Sequence, residues 1–157
     1  RSPRATASSA FPAANSAMLS AVPSVVIGDR RMVLPSRANV YALKQVGVTH
    51  LVLTDEVRTL RDEFRPGDLL VVDQVVDRTT RRPPSFFDDG VCVQVELGRP
   101  TCDLLRARLL AGVEAAKRPV HPRGTYVCVE GPSWSTAAEA EVERRLGADV
   151  VGQAALP

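Results

Sequence analysis

Short valine-rich runs alternate with segments of helical period along most of this chain, and glycines punctuate the switches. Helices interleaved with apolar strands of this kind argue for a layered α/β sheet. The clearest instance lies late in the chain. Residues 123–130 read as a strand, Thr136-Ala-Ala-Glu139 fits a capping box that opens a helix, Gly147 closes it, and residues 148–151 begin another strand. Earlier, Ser36 caps a predicted helix over residues 37–46 that Gly47 stops, and residues 48–54 read as a buried strand. Residues 25–27 and 31–34 are short apolar runs, residues 68–76 and 91–95 are predicted strands, and residues 55–66 and 77–89 are polar loops. Over residues 101–118, Cys102, Leu105, Leu109, Val113 and Ala116 recur on one helical face. In the predicted capped helix, Ala138, Val142 and Leu146 line the apolar side, and Glu139, Glu141 and Glu143 read as a solvated one. This pattern predicts an α/β fold with a three-layer arrangement of helices around a twisted, mixed central sheet.

Composition bounds the rest. With 157 residues, one domain is expected over residues 25–157, preceded by a flexible arm over residues 1–24 that is rich in Ala, Ser and Pro and lacks acids. Aromatics are only 4%, so the core is expected to be built from Val, Leu and Ala. A net charge of +2 does not suggest nucleic-acid binding, and no apolar run approaches the roughly 20 residues of a membrane span. Cys92, Cys102 and Cys128 form no Cys-x-x-Cys pair, and His50 and His121 lie far apart, so no metal site is expected. The cysteines read as small core residues in a cytoplasmic setting. His50 reads as packed within a strand and His121, between Pro119 and Pro122, as part of a surface turn.

Four ordered segments then resemble one family. They are residues 37–44 with Gly47-Val-Thr-His50; Arg65-Pro-Gly-Asp68 with Val72-Asp73 and residues 77–83; Ser85-Phe-Phe-Asp88; and residues 129–136 running on to Gly147-Ala-Asp-Val-Val151. Together they look like the purine nucleoside and methylthioadenosine phosphorylases, with residues 77–80 and 85–88 closest to the methylthioadenosine branch. The resemblance covers residues 34–157 and implies a nucleoside-phosphorylase-like fold that is incomplete at its C-terminus. It implies a pentosyltransferase that cleaves the purine N-glycosidic bond with inorganic phosphate as co-substrate and no other cofactor. It also implies a role in purine and methionine salvage and assembly as a homotrimer. By the same match, Thr54, Asp55, Glu56 and Ala154 stand at phosphate-binding positions, and Trp134, Ser135 and Gln153 at substrate-binding positions.

Several of these positions depart from the family pattern. Asp55 stands for a neutral donor, Glu56 for Ala, Arg58 for a Gly, Gln153 for Met and Ala154 for a hydroxyl residue, and the stretch over residues 25–32 has arginines but no histidine. Arg30 and Arg31 read either as phosphate contacts or as surface charges. Trp134 reads either as a stacking platform or as a core aromatic, and Ser135 as a base neighbour or a helix cap. Catalysis by the chain is therefore expected to be absent or very weak. The alternative expectation is a non-catalytic relic or an interaction subunit of a phosphorylase-like assembly, for which Ser85-Phe86-Phe87 offers an apolar loop.

Overall fold

The computed structural model describes residues 16–20, 36–87 and 90–156. They fall into two compact units that divide between Asp55 and Glu56.

In the first unit, β1 (Ser16–Ser20) pairs in parallel with β2 (His50–Thr54), in the register Ser16 to His50 through Ser20 to Thr54. Between them in sequence lies α1 (Ser36–Gln45), which ends at Gly47. Gly47 has φ +78, a left-handed conformation that favours glycine after a helix. Residues 16–20, which fall within the expected arm, form this strand. The rest of that arm, the runs at residues 25–27 and 31–34, and Arg30 and Arg31 lie outside the described residues.

The second unit is built on a mixed four-stranded sheet. In chain order it contains β3 (Arg58–Thr59), β4 (Leu69–Leu70), β5 (Gln74–Asp77), α2 (Asp103–Ala115), β6 (Val120–His121), β7 (Thr125–Cys128), α3 (Ala137–Arg145) and β8 (Val150–Gly152). The sheet runs β3-β8-β7-β5, with β5, β7 and β8 parallel and β3 antiparallel to β8. A separate parallel pair joins β4 to β6. The central strands are apolar at consecutive positions because both of their faces are covered. On one face Val127 and Val151 pack with Leu60 and Ala148, joined by Ala140 of α3. On the other, Tyr126, Cys128 and Val150 pack with Phe64, Leu70, Val72 and Leu156.

The expected capping box is present in full. Thr136 Oγ1 accepts from the Glu139 N–H at 3.3 Å, and Glu139 Oε2 accepts from the Thr136 N–H at 2.7 Å. Such a cap contributes about 1 kcal/mol and fixes where α3 begins, hence where the preceding loop must end.

Four expectations are corrected. The strand predicted over residues 68–76 is split into β4 and β5. Val71 N–H bonds to the His121 carbonyl while Gly124 N–H bonds to Asp73 Oδ1, so the segment passes from one partner to another midway. Residues 91–95 form no strand and stay exposed, although their alternation is strict; no neighbouring edge pairs with them among the described residues. In α3, Ala138, Val142 and Leu146 face outward, and the buried side carries Ala140 and Glu143. Residues 58–59, read as loop, form β3. In α2 the expected stripe is half-buried at Leu105, Leu109 and Val113, while Cys102 and Ala116 are exposed. No helix among the described residues is long and apolar enough to cross a membrane.

Candidate functional site

The chain leaves the central strands at two neighbouring points, and Trp134, Ser135, Gln153 and Ala154 lie there. After β7 it runs through Glu130-Gly131-Pro132-Ser133-Trp134-Ser135 to the cap of α3; after β8 it runs through Gln153-Ala154-Ala155-Leu156. Positions outside the carboxyl ends of parallel strands are where ligands bind in sheets of this type. Gln153 Nε2 donates to the Ser133 carbonyl at 2.8 Å, joining the two loops. A Cβ on Gly131 would come within 2.8 Å of Gln153 Oε1, so the end of the Gln153 side chain would have to shift to admit one.

A groove of about 380 Å³ opens beside the first loop, within the size range of small-ligand sites. Trp134, Ser133 and Ser135 line it from the loop, Glu139 and Glu143 from α3, and Arg78 and Glu130 from the strand ends. Trp134 is half-buried, and the Arg58 guanidinium carbon stands 4.5 Å from the centre of its ring, in cation–π contact. Ser135 is not the helix cap; Thr136 is. Instead Ser135 Oγ lies 3.0 Å from both carboxylate oxygens of Glu143. The reading of Glu139, Glu141 and Glu143 as one solvated face is therefore corrected. Glu143 is only 4% exposed, Glu139 is held in the cap, and Glu141 pairs with Arg144 and Arg145. The Thr136 N–H, aided by its hydroxyl, holds the Glu139 carboxyl below its ordinary pKa.

Arg82, which no local pattern singled out, secures the loop after β8. Its guanidinium donates to the carbonyls of Gln153 and Leu156, and its Nε lies 3.2 Å from Glu130 Oε1. Glu130 also accepts from the Thr80 and Arg81 N–H groups, and the Thr80 bond is the largest influence holding its carboxyl below the usual range. Tyr126 Oη accepts from the N–H groups of both Ala154 and Ala155 at 3.3 Å. Ala154 therefore directs its backbone N–H at a hydroxyl of β7.

The remaining predicted positions are placed as follows. Thr54 ends β2 and is exposed, and Asp55 is half-buried, both in the first unit; Glu56 is exposed at the start of the second. His50 is exposed at the start of β2, hydrogen-bonded to Thr49, which corrects its reading as packed. His121 is corrected too. It sits in β6 with Nε2 2.9 Å from Asp68 Oδ2 and its ring 4.0 Å from that of Phe64. The Arg65 N–H and then His121 hold the Asp68 carboxyl low. Of the cysteines, Cys128 is buried, which pushes its thiol up, whereas Cys92 and Cys102 are exposed.

Among the described residues, no group of three His, Cys, Asp or Glu side chains is arranged to hold a metal ion.

Comparison with known proteins places this architecture. The model of the phosphorylase superfamily matches residues 24–157. An S-methyl-5'-thioadenosine phosphorylase of Hyperthermus butylicus is 41% identical over 122 residues, which cover 77% of this chain and 44% of that protein. One from Chloroflexus aurantiacus is 44% identical over 125 residues, covering 79% and 43%. A 6-oxopurine nucleoside phosphorylase of Pyrococcus furiosus is 39% identical over 128 residues, covering 77% and 48%. Among solved structures, the methylthioadenosine phosphorylase of Schistosoma mansoni in complex with adenine matches with a TM-score of 0.71 and 27% identity, over 74% of this chain and 50% of that one. The chain thus spans less than half the length of each of the three sequence relatives and half that of the structural one. The mixed α/β architecture agrees with the expectation from sequence, and the chain belongs to the phosphorylase superfamily.

Proposed function

We propose that this homologue of the methylthioadenosine and purine nucleoside phosphorylases binds a purine base in the Trp134 groove and does not itself cleave the nucleoside with phosphate. The reading rests on the lining of the groove. An aromatic ring stands beside two hydroxyls, and three carboxylates, Glu130, Glu139 and Glu143, outnumber the one arginine, Arg78. A flat apolar face with polar groups at its rim suits a neutral heterocycle. A phosphate dianion instead needs arginines and backbone N–H groups, and each facing carboxylate repels it. The residue types at the positions assigned to phosphate by family match agree in kind, since Asp55 and Glu56 are acids and Ala154 has no hydroxyl. Under this reading the chain is a pseudoenzyme of purine salvage in the cytoplasm, with purine nucleoside and phosphate as the ligands of the ancestral chemistry.

Trp134 is the sole tryptophan, so intrinsic emission reports on the groove directly. Adenine is expected to quench it saturably, with no change in apparent affinity when inorganic phosphate is added. Absence of quenching, or strong coupling to phosphate, overturns the reading.

A second reading, the interaction subunit, is favoured by Phe86 and Phe87, which are 45% and 50% exposed, and by exposed Val91, Val93, Val95 and Leu97 downstream. Exposed apolar side chains in that number along one stretch of chain suit an association surface. The homotrimer implied by resemblance is the association proposed. Light scattering after size exclusion is expected to give a mass above that of a single chain, and a clean monomer at working concentration counts against it.

A further inference from the structure

We propose that Glu143, held by Ser135, is the specificity-determining acceptor of the groove and selects a planar heterocycle that presents an N–H donor. This inference rests on the base-binding reading above and adds to it the chemistry of the ligand edge. Glu143 is a carboxylate 4% exposed, on the inward side of α3, beside Ala140, in a position where the helix packs on the sheet. Charged groups are almost never buried so far without partners. Among the described residues its hydrogen-bond partner is Ser135, whose Oγ is 3.0 Å from each carboxylate oxygen. A hydroxyl carries one proton, so the two contacts share a single donor, while a carboxylate has about four lone-pair sites. Its remaining acceptor capacity is directed where both residues line the groove, next to Trp134.

The ligand that satisfies this arrangement stacks its ring on Trp134 and points an exocyclic amino N–H at the carboxylate. A heterocycle with a methyl group in place of the amine keeps the stacking and its ring N–H but offers no proton at that edge. The carboxylate then stays under-satisfied, and sites built to bond an N–H reject analogues that lack it. Arg78 lines the same groove, and its charge is one of the influences that hold the Glu139 carboxyl low.

The test compares adenine with 6-methylpurine, which differ in the amine alone, by titration calorimetry and Trp134 emission. The unmodified chain is expected to bind adenine at least about tenfold more tightly, as for a hydrogen bond to a charged group. Glu143→Met, which fits a buried helical position without an acceptor, is expected to weaken adenine to the level of 6-methylpurine and to leave 6-methylpurine unchanged. Equal affinity for the two bases in the unmodified chain overturns the role of Glu143 while sparing the groove as a base site, and that comparison stands even if the variant fails to fold. Persistent tenfold preference in a folded Glu143→Met variant overturns it as well. Failure to bind either base overturns both readings.

Discussion

Incubated with inorganic phosphate and methylthioadenosine, adenosine or inosine, the chain is expected to release no measurable purine. The expectation is cumulative. A carboxylate about 4 Å from a single phosphate charge raises the energy by about 4 kcal/mol at an effective dielectric near 20, roughly a thousandfold in binding. By family match, Asp55 and Glu56 stand at adjacent positions of the loop expected to hold phosphate, and Ala154, at a third such position, carries no hydroxyl. One well-placed transition-state donor is worth about 3 kcal/mol, so each loss alone lowers turnover by a hundredfold or more. The companion sample is the variant Asp55→Thr, Glu56→Ala, Ala154→Thr. Turnover by the unmodified chain at about 1 per second or faster, a rate ordinary for enzymes, overturns the expectation. Turnover in the triple variant alone locates the loss at these three positions and shows that the scaffold still supports the reaction.

Replacing Arg82 by alanine is expected to destabilise the second unit strongly. Its guanidinium bonds to two backbone carbonyls, of Gln153 and Leu156, and to Glu130, so one side chain ties the loop after β8 to the end of β7. Removing hydrogen bonds from a charged, partly buried donor costs about 3 kcal/mol, and leaves carbonyls to find water. That corresponds to a fall in melting temperature on the order of 10 °C for a unit of this size. Amide exchange of residues 153–156 should accelerate more than that of β7. Arg82→Lys is expected to recover only part of the loss, because an ammonium cannot span three acceptors as a planar fork does. A melting temperature within 2 °C of the unmodified chain would contradict this account.

The contrast between Arg82 and Thr136 shows what was legible in the chain and what was not. The Thr136 cap, its Glu139 partner and the stops at Gly47 and Gly147 are local devices, set within three or four residues, and each is found where its spacing puts it. The apolar strands β7 and β8 were legible for the same reason, since burial on both faces leaves a continuous run. Arg82 has partners 46 to 74 residues away, so nothing near it in sequence announces its role. Residues 91–95 alternate as a strand should, yet a strand exists only where another edge accepts it, and periodicity does not encode that. The face of α3 was misjudged because Val142 weighs more than Glu143 on any hydropathy scale. The spacing of Ala140 and Glu143, three apart on one face, carried the correct signal. At the candidate site, Trp134 and Ser135 line one groove, whereas the Ser135–Glu143 contact depends on which way the helix turns.

The order β3-β8-β7-β5 has a consequence for how the second unit is made. Its interior strand β8 is translated after every other strand of the sheet, so β3 emerges with no partner and waits while about ninety residues follow it. β7 and β8, by contrast, close a segment of some 25 residues around α3. By loop-closure entropy alone, recruiting β3 costs about 1 kcal/mol more than joining β7 to β8. By this measure the β7–α3–β8 module closes first and draws in the earlier edge afterwards. Until then the nascent chain carries an open edge on β7 and a stranded β3, and its yield in a cell depends on how long those edges stand uncovered.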